Sequence, residues 1–216
     1  MKTPLSLTIC ALLGLSFLQL HQRPEPGAAN AFCAQAELHA QKLQEDDAYR
    51  LATRRLEEEL DTLAPWNSQN DYSTGRGPLV QHTLPVVVHI IHNGGSENIS
   101  DGQAADAIQH LNDAFANVGY YNPATGVDTE IAFCLARRTP QGEATTGINR
   151  VQSALTNLNN STDDLAMKAL SRWDPTRYIN VWVVNEICSN NGCGVAGYAY
   201  LPGAHGQPYD GIVLEA

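Results

Sequence analysis

Three short apolar runs, separated by turns rich in glycine and asparagine, fill the C-terminal part of the chain and constrain its fold more than any other feature. Ile179–Val184 is almost continuously apolar, which is the pattern of a strand buried on both faces of a sheet. Residues 194–201 alternate small residues with tyrosines, as in a more exposed edge strand. Residues 212–214 begin another buried strand close to the last residue of the chain.

Upstream of these runs, predicted strands and helices alternate. Residues 84–91 and 129–136 predict strands, and the helix between them begins with the capping pair Ser100 and Gln103. A second helix is predicted from about Thr162. Its buried face is predicted to consist of Leu165, Ala169, Leu170 and Trp173. This order is typical of right-handed crossovers, so we predict an α/β fold with a twisted, mostly parallel sheet, one antiparallel edge strand and packed helices.

The N-terminus has the pattern of a secretory signal peptide. Met1-Lys2 precedes an apolar run over residues 5–20, and Ala29-Asn30-Ala31 fits a cleavage site, which predicts a signal peptide over residues 1–31. An uncleaved anchor is the alternative, but the run is short for a bilayer span. We therefore expect a secreted, extracellular protein with no membrane attachment after signal cleavage.

The acidic balance of the chain excludes some partners. A net charge of −10 argues against binding to nucleic acid or to an anionic membrane surface, since both require basic patches. It leaves protein and peptide partners open.

Export also implies an oxidising compartment, in which cysteines pair. Cys188 and Cys193 bracket the turn Ser-Asn-Asn-Gly, which favours a disulfide between them. Cys134 lies in an apolar run, which favours a buried thiol over a bridge to sequence outside this chain.

The charged segment over residues 32–64 is predicted to be helical. Asp46 is a predicted N-cap, and one apolar stripe consists of Tyr49, Ala52, Leu56, Leu60 and Leu63. A stripe of this kind forms no core alone, so it must dock on another part of the chain. Residues 65–83 are polar and unpatterned, which is typical of a linker.

An ordered set of segments resembles the pappalysin-type, ulilysin-like metzincin metalloproteases. The segments are WDPTRYINVWVV, GVAGYAYLP and DGIVL, preceded by LPVVVHIIHN with ISDGQAADAIQHLNDAF (84–115) and IAFCLARRTPQGEATTGINRV (131–151). Each is weakly specific alone, and the order carries the resemblance. It covers residues 84–216 well and residues 33–63 loosely.

The resemblance implies a secreted zinc metalloendopeptidase zymogen that acts on protein or peptide substrates. In that family two histidines one helical turn apart bind zinc and the glutamate between them is the general base. The motif H-E-x-x-H-x-x-G-x-x-H is absent from this sequence, so no catalytic residue or histidine zinc ligand is assigned. The zinc ligands, and calcium sites, are expected beyond this chain, and residues 84–216 are expected to be the N-terminal part of the catalytic domain. The chain as given is expected to be inactive.

Two elements of the family transfer to numbered residues. Cys33 resembles the pro-segment cysteine whose thiolate takes the fourth position on zinc and keeps the enzyme latent, although Ala34 stands where that family has glycine. An ordinary free or bridged cysteine is the alternative. The edge strand is expected to pair with the main chain of the substrate through Gly197, Tyr198, Ala199 and Tyr200.

The resemblance implies that residues 32–64 are a helical pro-segment, although a plain structural helix also fits. In a zymogen, activation cleavage is expected near Arg76, and an uncut loop is the alternative.

His89 and His92 form no metal pair, because residues three apart on a strand point to opposite faces. A non-catalytic secreted module that binds or inhibits a partner protein, and an unrelated α/β binding domain, remain alternatives.

Overall fold

The computed structural model of the chain describes residues 33–69, 80–120 and 125–216. The predicted signal peptide (1–31) and the predicted cleavage region around Arg76 lie outside the described residues. Within the described ranges, no helix combines the length and the apolar character that crossing a membrane requires.

Four helices and nine strands make up the described part of the chain. In chain order they are α1 (Gln35–Glu45), α2 (Asp47–Gln69), β1 (His82–His92), α3 (Asp101–Phe115), β2 (Ile131–Leu135), β3 (Ile148–Gln152), β4 (Asn157–Asn159), α4 (Asp164–Ala169), β5 (Ile179–Val184), β6 (Glu186–Ser189), β7 (Gly192–Cys193), β8 (Gly197–Ala199) and β9 (Ile212–Glu215). Short 3₁₀ turns occupy Ala154–Thr156 and Pro202–Ala204.

The main sheet confirms the predicted α/β architecture. Its strand order is β2-β1-β5-β9-β8, and β3 continues beside the C-terminal half of β1. All neighbours are parallel except β8, which runs antiparallel to β9 at the edge. Strand β9 therefore lies between β5 and β8. A second, small sheet has the order β4-β6-β7.

Each face of the main sheet has its own apolar core. Helix α3 covers one face, where Ala104 packs among side chains of β1 and β5 such as Val88 and Val183. On the other face, Trp182 and Val213 pack with residues of α1 and α4. Because burial of each large apolar side chain contributes about 1.5–3 kcal/mol, these two clusters are the main stabilising element of the fold.

Helix α3 begins as the sequence predicts. The Ser100 hydroxyl accepts the Gln103 backbone N–H at 3.2 Å, and the Gln103 side chain accepts the Ser100 N–H at 3.0 Å. Two backbone donors that the helix leaves without partners are thereby satisfied.

The predicted linker is shorter than residues 65–83. Helix α2 continues through Pro65 to Gln69, and β1 begins at His82. Strands β3 and β4 were not predicted, since neither has a clear apolar alternation.

The predicted buried face of the second helix is wrong. Helix α4 has only six residues, and Leu165 and Leu170 are 49% and 41% exposed. Its buried side chains are Asp164, Met167 and Lys168. A charged pair four residues apart lies on one helical face, and here this pair occupies the buried face.

Two predictions about the cysteines have opposite outcomes. Cys188 and Cys193 form the disulfide that the turn sequence favoured, and it joins β6 to β7. Cys134, predicted to be buried, is exposed and free. Phe133 and Leu135 pack toward α3, so the alternation of a strand turns Cys134 to the opposite face of an edge strand, where no described helix covers it.

Candidate functional site

The outer edge of β8 is occupied by the first described residues of the chain. Cys33 pairs with Gly197 as an isolated parallel bridge, and the Ala34 N–H donates to the Gly197 carbonyl at 3.3 Å. The Ala34 side chain is buried in the apolar core. The Cys33 side chain is exposed.

The backbone of β8 has the geometry of a strand that can accept another. Gly197 is opposite Leu214 and Ala199 is opposite Ile212 in the antiparallel ladder with β9. Because the Gly197 carbonyl points away from β9, the alternation of such a ladder turns the backbone groups of Ala199 to the same outer edge. An extended chain segment placed there would bind through main-chain hydrogen bonds.

Close packing explains glycine at position 197. A Cβ atom there would lie 2.8 Å from the Val213 carbonyl oxygen and 3.0 Å from a Leu214 methyl carbon. A side chain at this point would press against β9.

The two tyrosines of the predicted substrate strand point inward. Tyr198 is 2% exposed, and its hydroxyl donates to Asp164 Oδ1 at 2.7 Å. Tyr200 follows the end of β8 and donates to Asp164 Oδ2 at 3.0 Å. These side chains anchor the strand, and only Gly197 and Ala199 present backbone groups to the outer edge. The predicted edge strand is confirmed, with both tyrosine side chains turned away from solvent.

The anchor contains a buried ion pair that the sequence reasoning missed. The Lys168 ammonium is fully buried, 2.9 Å from Asp164 Oδ1 and 2.6 Å from the Tyr209 carbonyl oxygen. Burial lowers the pKa of Lys168, and Asp164 opposes that shift. Burial first, and then the charge of Asp164, raises the pKa of both Tyr198 and Tyr200, so both hydroxyls remain donors. The four-residue spacing of Asp164 and Lys168 was the only signal.

The histidines of β1 do not form a metal pair. His89 is buried, its Nε2 lies 2.9 Å from Asn180 Oδ1, and its ring stacks on Trp182 at 5.1 Å. Burial lowers the pKa of His89 to about 4, with the Asn180 hydrogen bond opposing the shift. His89 is therefore a neutral core residue. His92 ends the strand half-buried, and residues three apart on a strand point to opposite faces.

The described residues do not fit a zinc site. Within them, one group of three potential ligands comes together, Glu186 with Cys188 and Cys193. Its two sulfur atoms are joined in the disulfide, so neither can bind a metal as a thiolate. Cys33 offers a single sulfur ligand, which is not a site by itself.

Comparison with known proteins gives structural matches. No protein-family model and no curated protein matches the chain. A promirolysin mutant of Tannerella forsythia aligns with a TM-score of 0.54 and 28% identity, covering 85% of this chain and 59% of that one. The chain has a metzincin-type fold. This agrees with the fold that the resemblance implied.

Two mirolysin structures are also similar. Mirolysin in complex with compound 9 aligns with a TM-score of 0.50 and 30% identity, covering 63% of this chain and 53% of that one. Mature mirolysin of Tannerella forsythia in complex with a cleaved peptide gives a TM-score of 0.50 and 31% identity, covering 62% and 53%. The chain thus spans between 53% and 59% of the length of these solved chains.

Proposed function

We propose that the chain comprises the pro-segment and the substrate-binding strand of a secreted, zinc-dependent metalloendopeptidase of the pappalysin type, in its latent form. One observation carries the proposal. Cys33 and Ala34 occupy the same backbone edge at Gly197 to which an extended substrate would add. A substrate cannot pair with this position of β8 until the N-terminal segment leaves it.

The pattern of structural matches supports a pro-form. The promirolysin match covers 85% of this chain, whereas the mirolysin complex with compound 9 and the mature mirolysin complex cover 63% and 62%. A segment that is present only before maturation accounts for this difference. Residues 33–69 form α1 and α2, of which α1 and the start of α2 pack on the main domain, and they are the matching candidate in this chain.

Cys33 is the residue for which we propose a direct role in latency. Its thiol is exposed, it forms no disulfide, and it lies at the outer edge of β8, named here the substrate edge. If the complete enzyme holds zinc, a Cys33 thiolate would bind that ion in place of the catalytic water. When bound, zinc would lower the pKa of that water and polarise the peptide carbonyl. The residues of this chain contribute the main-chain edge that orients the substrate.

The test uses the natural protein with its full zymogen sequence. Zinc content is measured first, and casein cleavage is then compared between the wild type, Cys33→Ser and the control Cys134→Ser. We expect about one zinc ion per molecule and cleavage before pro-segment removal in Cys33→Ser alone. Absence of zinc, together with no cleavage after the pro-segment is removed, would contradict the assignment.

A non-catalytic binding module is the second candidate function. The described residues hold no zinc ligand set, while β8 offers an edge for strand addition. This alternative predicts that extended peptides bind at β8 in a natural protein that contains no zinc. The zinc measurement therefore separates the two functions.

A further inference from the structure

The α1–α2 hairpin contacts the main domain at a second place, apart from the edge of β8. The Tyr209 hydroxyl donates to Asp46 Oδ2 at 2.7 Å. The Lys42 ammonium lies 4.1 Å from the centre of the Tyr209 ring and 5.7 Å from that of Tyr200. A cation over two aromatic faces and a charge-assisted hydrogen bond thus join the hairpin to the main domain.

Asp46 serves both the hairpin and its attachment. Its Oδ1 accepts the Tyr49 N–H at 3.0 Å and caps α2, as the sequence predicted, while Oδ2 accepts from Tyr209. These two hydrogen bonds, the backbone one first, lower the pKa of Asp46. One carboxylate therefore fixes the bend between α1 and α2 and holds that bend on the domain.

The backbones also approach closely on the side of α2. A Cβ atom at Gly203 would lie 2.4 Å from Thr53 Oγ1 and 3.3 Å from the Tyr49 carbonyl oxygen. Tyr49 is fully buried and packs with Ala204 and Tyr209 in a small apolar cluster. Glycine at 203 thus leaves room for α2 on the Pro202–Ala204 turn, where an added Cβ would press against Thr53.

We propose that these contacts form a clamp, named here the tyrosine clamp (Lys42, Asp46 and Tyr49 with Tyr200, Gly203 and Tyr209), which holds the hairpin on the main domain independently of Cys33. Tyr200 follows β8 directly and is fixed to Asp164, so the clamp also sets where Cys33 meets the strand. The role of the tyrosine clamp in keeping the enzyme latent rests on the proposed function. Its consequence is that release of the Cys33 sulfur alone frees the substrate edge only in part, so Cys33→Ser should cleave casein more slowly before the pro-segment is removed than after.

Hydrogen exchange of the full chain tests the clamp without any need for metal or activity. Tyr209→Phe deletes one oxygen atom and should speed exchange of the α1 and α2 amides about tenfold or more, while β1 and β5 exchange as in the wild type. Lys42→Met should give a smaller increase, about twofold to fivefold. Gly203→Ala should act in the same direction as Tyr209→Phe.

The matched control is Tyr178→Phe, which removes a hydroxyl that donates to the Arg138 carbonyl, away from the hairpin. It should leave hairpin exchange unchanged, and Cys33→Ser should change it less than about twofold. A hairpin exchange rate in Tyr209→Phe within twofold of that of the wild type would overturn the clamp, and so would equal acceleration of the hairpin and the sheet.

Failure of Gly203→Ala to fold leaves Tyr209→Phe as the deciding variant. A negative result would leave the zinc and cleavage tests unaffected, and a protein without zinc would leave this test unaffected.

Discussion

Replacing Asp164 with asparagine is the perturbation whose effect the structure predicts most sharply. The Asp164 carboxylate accepts from Lys168, Tyr198 and Tyr200 at distances between 2.7 and 3.0 Å. Asparagine keeps the shape and one acceptor oxygen and removes the charge. The fully buried Lys168 ammonium would then have no countercharge, with only neutral oxygens such as the Tyr209 carbonyl as partners.

The expected cost is large relative to the stability of a domain. Removing one partner of a buried ion pair destabilises a protein by about 3–5 kcal/mol, because the other charge stays buried without compensation. Total unfolding free energies are about 5–15 kcal/mol, so Asp164→Asn should lose a large part of the total. Loss of the countercharge should also lower the pKa of Lys168 further, so the variant should regain stability as the pH rises toward the ordinary lysine value.

Urea unfolding followed by tryptophan fluorescence measures this loss, since Trp182 lies beneath the Lys168 ammonium. The double variant Asp164→Asn with Lys168→Met removes both charges and should be more stable than Asp164→Asn alone. Asp106→Asn, at an exposed position of α3, is the control and should change stability by less than about 0.5 kcal/mol. A loss below about 1 kcal/mol for Asp164→Asn would refute the buried ion pair.

Three further predictions concern stability and are read from unfolding curves. The pKa of His89 in the folded state is about 4, below its unfolded value. As the pH falls from about 6.5 to 4, the unfolded state alone takes up a proton, and the free energy of unfolding should drop by roughly 3 kcal/mol. His89→Gln should flatten this dependence of stability on pH, and an unchanged dependence would contradict the prediction. Replacing Cys188 and Cys193 with serine should cost only about 2 kcal/mol, because the disulfide closes a short loop; a loss above about 5 kcal/mol would show another role. Gly147→Ala should cost about 2 kcal/mol or more, since φ is +77° and a Cβ would lie 2.7 Å from the Ala136 nitrogen, and an unchanged midpoint would contradict this contact.

The elements with a strong local signal were predictable from sequence. Ile179–Val184 is the central β5, and Ser100 and Gln103 form the capping box, because a continuous apolar run and a side-chain cap depend on neighbouring residues alone. Residues 194–201 indicated an edge strand, and β8 is one.

The predictions that were wrong or missing concern contacts between residues far apart in sequence. Apolar Leu165 was assigned to the core of α4, but Lys168 is buried there because three tyrosines from other parts of the chain surround it beside Asp164 of its own helix. A rule that buries apolar side chains cannot anticipate such a cluster. The contact of Cys33 with Gly197 likewise has no local signal, and the resemblance alone pointed to Cys33.

The placement of Cys33 against the substrate edge is the central claim, and a spin label tests it directly. A nitroxide is attached to Cys33 in the chain with Cys10 and Cys134 replaced by serine, and amide signals are recorded by NMR. The structure predicts strong broadening of Gly197, Ala199 and Leu214, with α3 little affected. Unbroadened β8 signals beside a folded spectrum would contradict the placement, and with it the proposed mode of latency.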